Sequence, residues 1–116
     1  MLVDLQIVKN ISKTMLSENE KKLCELLEVA AMRFEALGNR PISIWSSYES
    51  SLSLAEFVRN RIVEISEDNI SLDNKKELWG IFAPTSDWDD TGGDPQLGEV
   101  IFQLLQRLYW SEIQNS

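Results

Sequence analysis

Apolar residues return at steps of three and four along most of this chain, which is the spacing of one face of a helix. The longest clean stripe runs Leu23, Leu26, Leu27, Ala30, Phe34 and Leu37. Ser17-Glu18-Asn19-Glu20 stands before it as a capping box, in which the serine and the glutamate each satisfy a free backbone N–H. Gly38 is a natural stop, and Pro41 forbids continuation. A second strong stripe lies between Pro95 and Trp110: Leu97, Val100, Ile101, Leu104, Leu105 and Leu108. Phe102 and Tyr109 widen it, so this helix is expected to be covered on more than one side. Asp94 can cap its first turn, and Pro95 sits where no intrahelical donor is needed. Gly98 weakens that turn slightly and leaves room for another backbone to approach.

Three further elements complete the pattern. Leu5, Val8, Ile11 and Met15 fit a helix over residues 2–15. Ser53-Leu54-Ala55-Glu56 is a second capping box, followed by the stripe Leu54, Phe57, Val58, Ile62 and Ile65. After a polar link, Ser66 to Ile70, Ser71 caps a shorter helix with Leu78, Ile81 and Phe82 facing in, and Pro84 ends it. The stretch Pro41 to Ser53 interleaves Ile42, Ile44, Trp45 and Tyr48 with serines, and fits a short strand, a helical turn or a loop. No internal repeat or interdomain linker appears. The expectation is an all-α chain: one domain over residues 1–116, a single compact bundle of about five helices.

Composition narrows the function. The chain carries a net −8, and from Glu77 onward it has seven acids against the single base Arg107, so the last forty residues hold −6 of that charge. Such a surface repels phosphate backbones and anionic lipids, which argues against nucleic acid and membrane as partners and suits a basic protein or a divalent cation. The chain has no histidine. That removes Ser-His and Cys-His nucleophiles, histidine bases and histidine metal ligands together, so any catalysis needs carboxylates, usually with a metal. The one cysteine, Cys24, falls beside a helical apolar face and reads as a half-buried structural thiol. Met1-Leu2-Val3-Asp4 has no basic region and no long apolar run follows, so the expected location is the cytoplasm.

Candidate chemistry concentrates in the loop Ser86-Asp87-Trp88-Asp89-Asp90-Thr91-Gly92-Gly93-Asp94. As a calcium loop, Asp87, Asp89, Thr91 and Gly92 match the first, third, fifth and sixth places. The match then fails: Gly98 stands where a bidentate glutamate is required. As a metal-dependent hydrolase, the chain offers Glu25 with Glu28 and Glu64 with Glu67, each pair on one helical face, but solvated helices show the same spacing. As a protein-binding surface, the aspartates supply charge for steering and Trp88 an aromatic anchor. On the plain packing alternative, Trp88 folds back on the core and Asp94 only caps.

In size, acidity and lack of histidine, the chain resembles the immunity proteins of bacterial toxin–immunity pairs. The run Leu78-Trp79-Gly80-Ile81-Phe82-Ala83-Pro84, continuing through Trp88 and Gly93-Asp94 to Gly98, looks like a stretch of small bacterial proteins of this sort. The resemblance is one of type, covers under a third of the chain and carries over no functional residues. It implies a basic toxin domain as partner, often a nuclease. The expected function is therefore non-enzymatic: binding and neutralising a basic protein, with no cofactor and no metal. Asp87, Trp88, Asp89 and Asp90 are the expected contacts, with Tyr48 and Glu49 as a second patch. A magnesium- or calcium-dependent helical enzyme, such as a nucleotide hydrolase using the same carboxylates, is the alternative.

Overall fold

The computed structural model describes residues 16–39, 48–84, 87–91 and 94–115, with Asp90 by its backbone alone. The helix expected over residues 2–15, Trp45, and the loop glycines Gly92 and Gly93 lie outside the described residues. Among the described residues every regular element is helical, as the spacing predicts: α1 (Glu18–Leu37), α2 (Ser51–Ser66), α3 (Leu72–Phe82), the single turn α4 (Asp87–Asp90) and α5 (Pro95–Gln114). No helix among them is long and apolar enough to cross a membrane.

The caps form where the serines and Asp94 stand. Ser17 and Glu20 close the expected capping box on α1. Ser71 accepts from the Asn74 N–H, and Asp94 from those of Gln96 and Leu97. Gly38 ends α1 at φ 66°, a left-handed conformation that favours glycine. The second box shifts. α2 starts three residues earlier than expected, because Ser50 caps it and its Oγ accepts from the Ser53 N–H at 3.3 Å. Ser50 and Ser53 both head plausible caps, and the one that buries Ser51, Leu54, Ala55 and Val58 together is used.

Side-chain pairs fix the helix directions. Arg59 of α2 meets Glu28 and Glu35 of α1, and Ser66 at the end of α2 lies beside Cys24 near the start of α1. α1 and α2 are therefore antiparallel. Lys75 pairs with Glu112 and Trp79 with Gln106, which sets α3 antiparallel to α5. The four long helices form an up-down-up-down bundle. Its core holds Leu23, Leu27 and Phe34 of α1, Leu54 and Val58 of α2, Leu78 and Ile81 of α3, and Ile101 and Leu105 of α5. Each of these side chains contributes roughly 1.5–3 kcal/mol by leaving water.

α5 presents a face rotated from the expected one. Gly98, Ile101, Leu104, Leu105 and Tyr109 are buried, whereas Val100 is 47% exposed. The rotation follows from Trp88, which occupies the space over Gly98 and so brings that glycine into the core face. Cys24 is half-buried, as the sequence indicates.

Candidate functional site

Asp87 to Asp90 form one helical turn where the calcium reading needs an open coordinating loop. The Thr91 N–H donates to the Asp87 carbonyl at 3.1 Å and the Thr91 hydroxyl to the Trp88 carbonyl at 2.8 Å, which closes the turn. Among the described residues no three metal-ligating side chains gather. Asp94 is committed to capping α5: its Oδ1 lies 2.9 Å from the Gln96 N–H donor.

One turn of helix sends neighbouring residues in different directions. Asp89 points to solvent, Asp87 is half-buried and Trp88 is only 2% exposed. Trp88 is thus not the exposed partner anchor expected from the sequence; the packing alternative is what forms. Its ring meets Phe34 edge-on at 5.3 Å between centroids and Phe82 at 5.5 Å. Its indole N–H donates to the Asp94 carbonyl at 2.9 Å, and the same oxygen accepts the Gly98 N–H at 3.0 Å. Burial of so large a ring, with its one donor satisfied, outweighs anything an exposed anchor gains before a partner arrives.

The second expected patch lies beside the first. Tyr48 is half-buried, stacks edge-on with Phe57 at 5.6 Å and donates its hydroxyl to Glu77 Oε1 at 3.1 Å. Burial raises its pKa most, Glu77 and Asp87 raise it further, and Arg61 lowers it. Glu49 is exposed. Glu77, Asp87 and Arg61 all act on Tyr48, and Arg61 lies over the Phe57 ring at 4.4 Å.

Where α4 meets the end of α3 and the start of α5, a groove of about 340 Å³ opens. Phe82, Trp88 and Phe102 supply its apolar surface, and the exposed carboxylates of Asp89 and Glu99 its charge. No base lines it. Glu99, Phe102 and the exposed Gln103 were not among the expected site residues. The signal available for them is spacing on α5: Phe102 follows Gly98 by four residues, and Phe102 and Gln103 follow Glu99 by three and four.

Of the two glutamate pairs in the hydrolase reading, Glu28 and Glu64 each pair with an arginine, while Glu25 and Glu67 are exposed. Glu28 and Glu35 both accept from the Arg59 guanidinium, and Arg59 Nη2 sits 2.7 Å from Glu35 Oε1. Arg61 Nη2 donates to Glu64 at 2.8 Å, and the Asn74 amide donates to the same carboxylate at 3.1 Å. Cys24 has its thiol pKa raised, chiefly by burial, the opposite of what an activated nucleophile needs.

Comparison of the chain with protein-family models, curated proteins and solved structures finds no match.

Proposed function

We propose that this chain is a non-enzymatic binding protein that neutralises a basic protein partner. The observation that carries the reading is the groove beside α4, apolar within, with Asp89 and Glu99 exposed along it and no base lining it among the described residues. Carboxylates over an apolar surface draw a basic partner in quickly and then hold it by contact. The exposed Glu77, bonded to Tyr48, adds further charge of the same sign. The resemblance to immunity proteins supplies the partner class: a toxin domain, with a nuclease fitting best, because an acidic face can occupy the groove that otherwise binds phosphates. In this reading the protein works in the cytoplasm.

The capture test is direct. The tagged chain is co-expressed with the polypeptide encoded immediately upstream and washed in chelator. The proposal expects a stoichiometric complex with the C-terminal domain of that polypeptide, and loss of that domain's toxicity when the two are produced together. A toxin that this chain neither binds nor restrains would overturn the assignment.

A further inference from the structure

α1 carries a second row of apolar side chains on the side away from the core. Val29 and Met32 are 39% and 57% exposed, and Ala36 continues the three-and-four step. α2 repeats this with Leu52, 43% exposed, and Val63, 55% exposed. Four of the six large apolar side chains exposed among the described residues therefore stand on these two helices. The ion pairs between the helices show which of them share a surface. Arg59 reaches from α2 to Glu28 and Glu35 of α1. Met32 lies one helical turn from each of those glutamates, Val63 one turn from Arg59 and Leu52 two turns from it. Met32, Val63 and Leu52 thus surround one bridge on the outer face of the α1–α2 pair. Single exposed apolar side chains are common, but three around one bridge make a patch. Its margin is acidic. Glu25 and Glu56 each stand one turn before a member of the bridge, and Glu67 one turn after Val63. All three are exposed and have no ion pair among the described residues. Lys21, at one end of the face, is paired with Glu18 at 4.0 Å.

We propose that this face is a second docking surface and takes a basic amphipathic helix of the protein partner, whose existence rests on the binding-protein reading above. Two features set the occupant. Apolar positions three and four residues apart on two antiparallel helices leave a shallow groove, which the apolar row of a third helix fits. Unpaired carboxylates along its margin select lysine or arginine beside that row. From Glu25 to Ala36 α1 spans about 16 Å, so about three turns of the incoming helix cover the face. The side chains named are already open to solvent, and docking needs no repacking of the core.

The test is methyl NMR of the full chain titrated with an amidated peptide about four helical turns long, leucines in the three-and-four pattern and lysines elsewhere. A scrambled peptide of the same composition, with no apolar row, runs in parallel. The expected result is saturable shifts at the Met32, Leu52 and Val63 methyls with the patterned peptide, and binding about tenfold weaker for the scrambled one. Met32→Gln with Val63→Gln should weaken the patterned peptide by about tenfold, and Glu25→Gln with Glu56→Gln by about fivefold. These side chains are exposed, so melts of both variants should match wild type within a few degrees. Shifts confined to other surfaces, or equal binding of the two peptides, would overturn the inference. So would shifts at these methyls on dilution of the chain alone with no response to peptide, which would give the face to a second copy. The partner reading fails separately. A toxin complex of unchanged affinity in Met32→Gln with Val63→Gln keeps the binding function and removes this face from it. Patterned binding at this face, in a chain that forms no toxin complex, keeps the face and removes the toxin as the source of the helix.

Discussion

The indole of Trp88 lies against the bare backbone of Gly98: a Cβ built on the glycine would stand 2.5 Å from the indole nitrogen. The ring has nowhere to go, since Phe34 and Phe82 pack against it and its N–H is bound to Asp94. Gly98→Ala therefore sets two effects against each other. Helix propensity gains about 1 kcal/mol. Overpacking a locked core costs about 1–3 kcal/mol, and here it also strains a hydrogen bond. The overpacking wins, and denaturant titration should show a net loss of about 1–2 kcal/mol. Gly80 is the control. Among the described residues a Cβ there meets nothing within 4 Å, so Gly80→Ala in α3 should stabilise by about 0.5–1 kcal/mol.

Within the single turn α4, packing and binding separate residue by residue. Trp88→Phe removes ring volume and the donor to Asp94, and should cost about 2 kcal/mol of stability. Asp89→Asn changes an exposed charge and should leave stability within about 0.5 kcal/mol. Thermal melts of the two variants check the split. A destabilised Asp89→Asn would mean that this carboxylate serves the fold.

Acid should loosen the α1–α2 contact. Hydrogen bonds from Arg59 hold the Glu35 carboxyl below its ordinary value of 4.5, with the charge of Arg59 adding to them. A depressed folded pKa means the contribution is complete above the ordinary carboxylate range and disappears as pH falls through the lower folded value. Glu35→Gln should therefore flatten the acid limb of the stability curve below about pH 5. Chemical denaturation at a series of pH values reads this; an unchanged acid limb would show that Glu35 titrates alike in folded and unfolded chains.

Alkali should act on Tyr109. Its pKa lies above the tyrosine range, first through burial and then through Glu20, Cys24, Glu112 and Asp68. A raised folded pKa gives stability that is whole below about pH 10 and lost as pH climbs toward the folded value. Its hydroxyl has no hydrogen-bond partner among the described residues. Tyr109→Phe should thus be within about 1 kcal/mol of neutral at pH 7 and should reduce the alkaline loss. Ultraviolet titration of phenolate, run beside the melts, ties any change to this ring.

Much of the fold is legible in the sequence because its signals are local. Ser17 with Glu20, Ser71, Asp94-Pro95 and Gly38 mark helix ends through bonds that span three or four residues. The start of α2 is less legible, since Ser50 and Ser53 both make sound caps and only the burial of Ser51 and Leu54 decides between them. The candidate site is harder to read. In Asp87-Trp88-Asp89-Asp90 the sequence places a tryptophan among charges. Whether the ring faces out depends on Gly98, ten residues away, offering it a flat seat. The nearness of Tyr48 to Asp87, and of Asp89 to Glu99, is likewise tertiary. No periodicity within one helix encodes it.

The central claim is that the acidic face around α4 captures a basic protein. Its most direct test is the association rate of this chain with the neighbouring toxin domain, measured by stopped flow from low to high salt. Wild type is compared with the variant carrying Asp87→Asn, Asp89→Asn and Asp90→Asn. The account predicts that wild-type association slows steeply as salt rises, and that the variant associates at least about tenfold more slowly at low salt with a flatter salt dependence. Equal rates and equal salt dependence in the two proteins would contradict it.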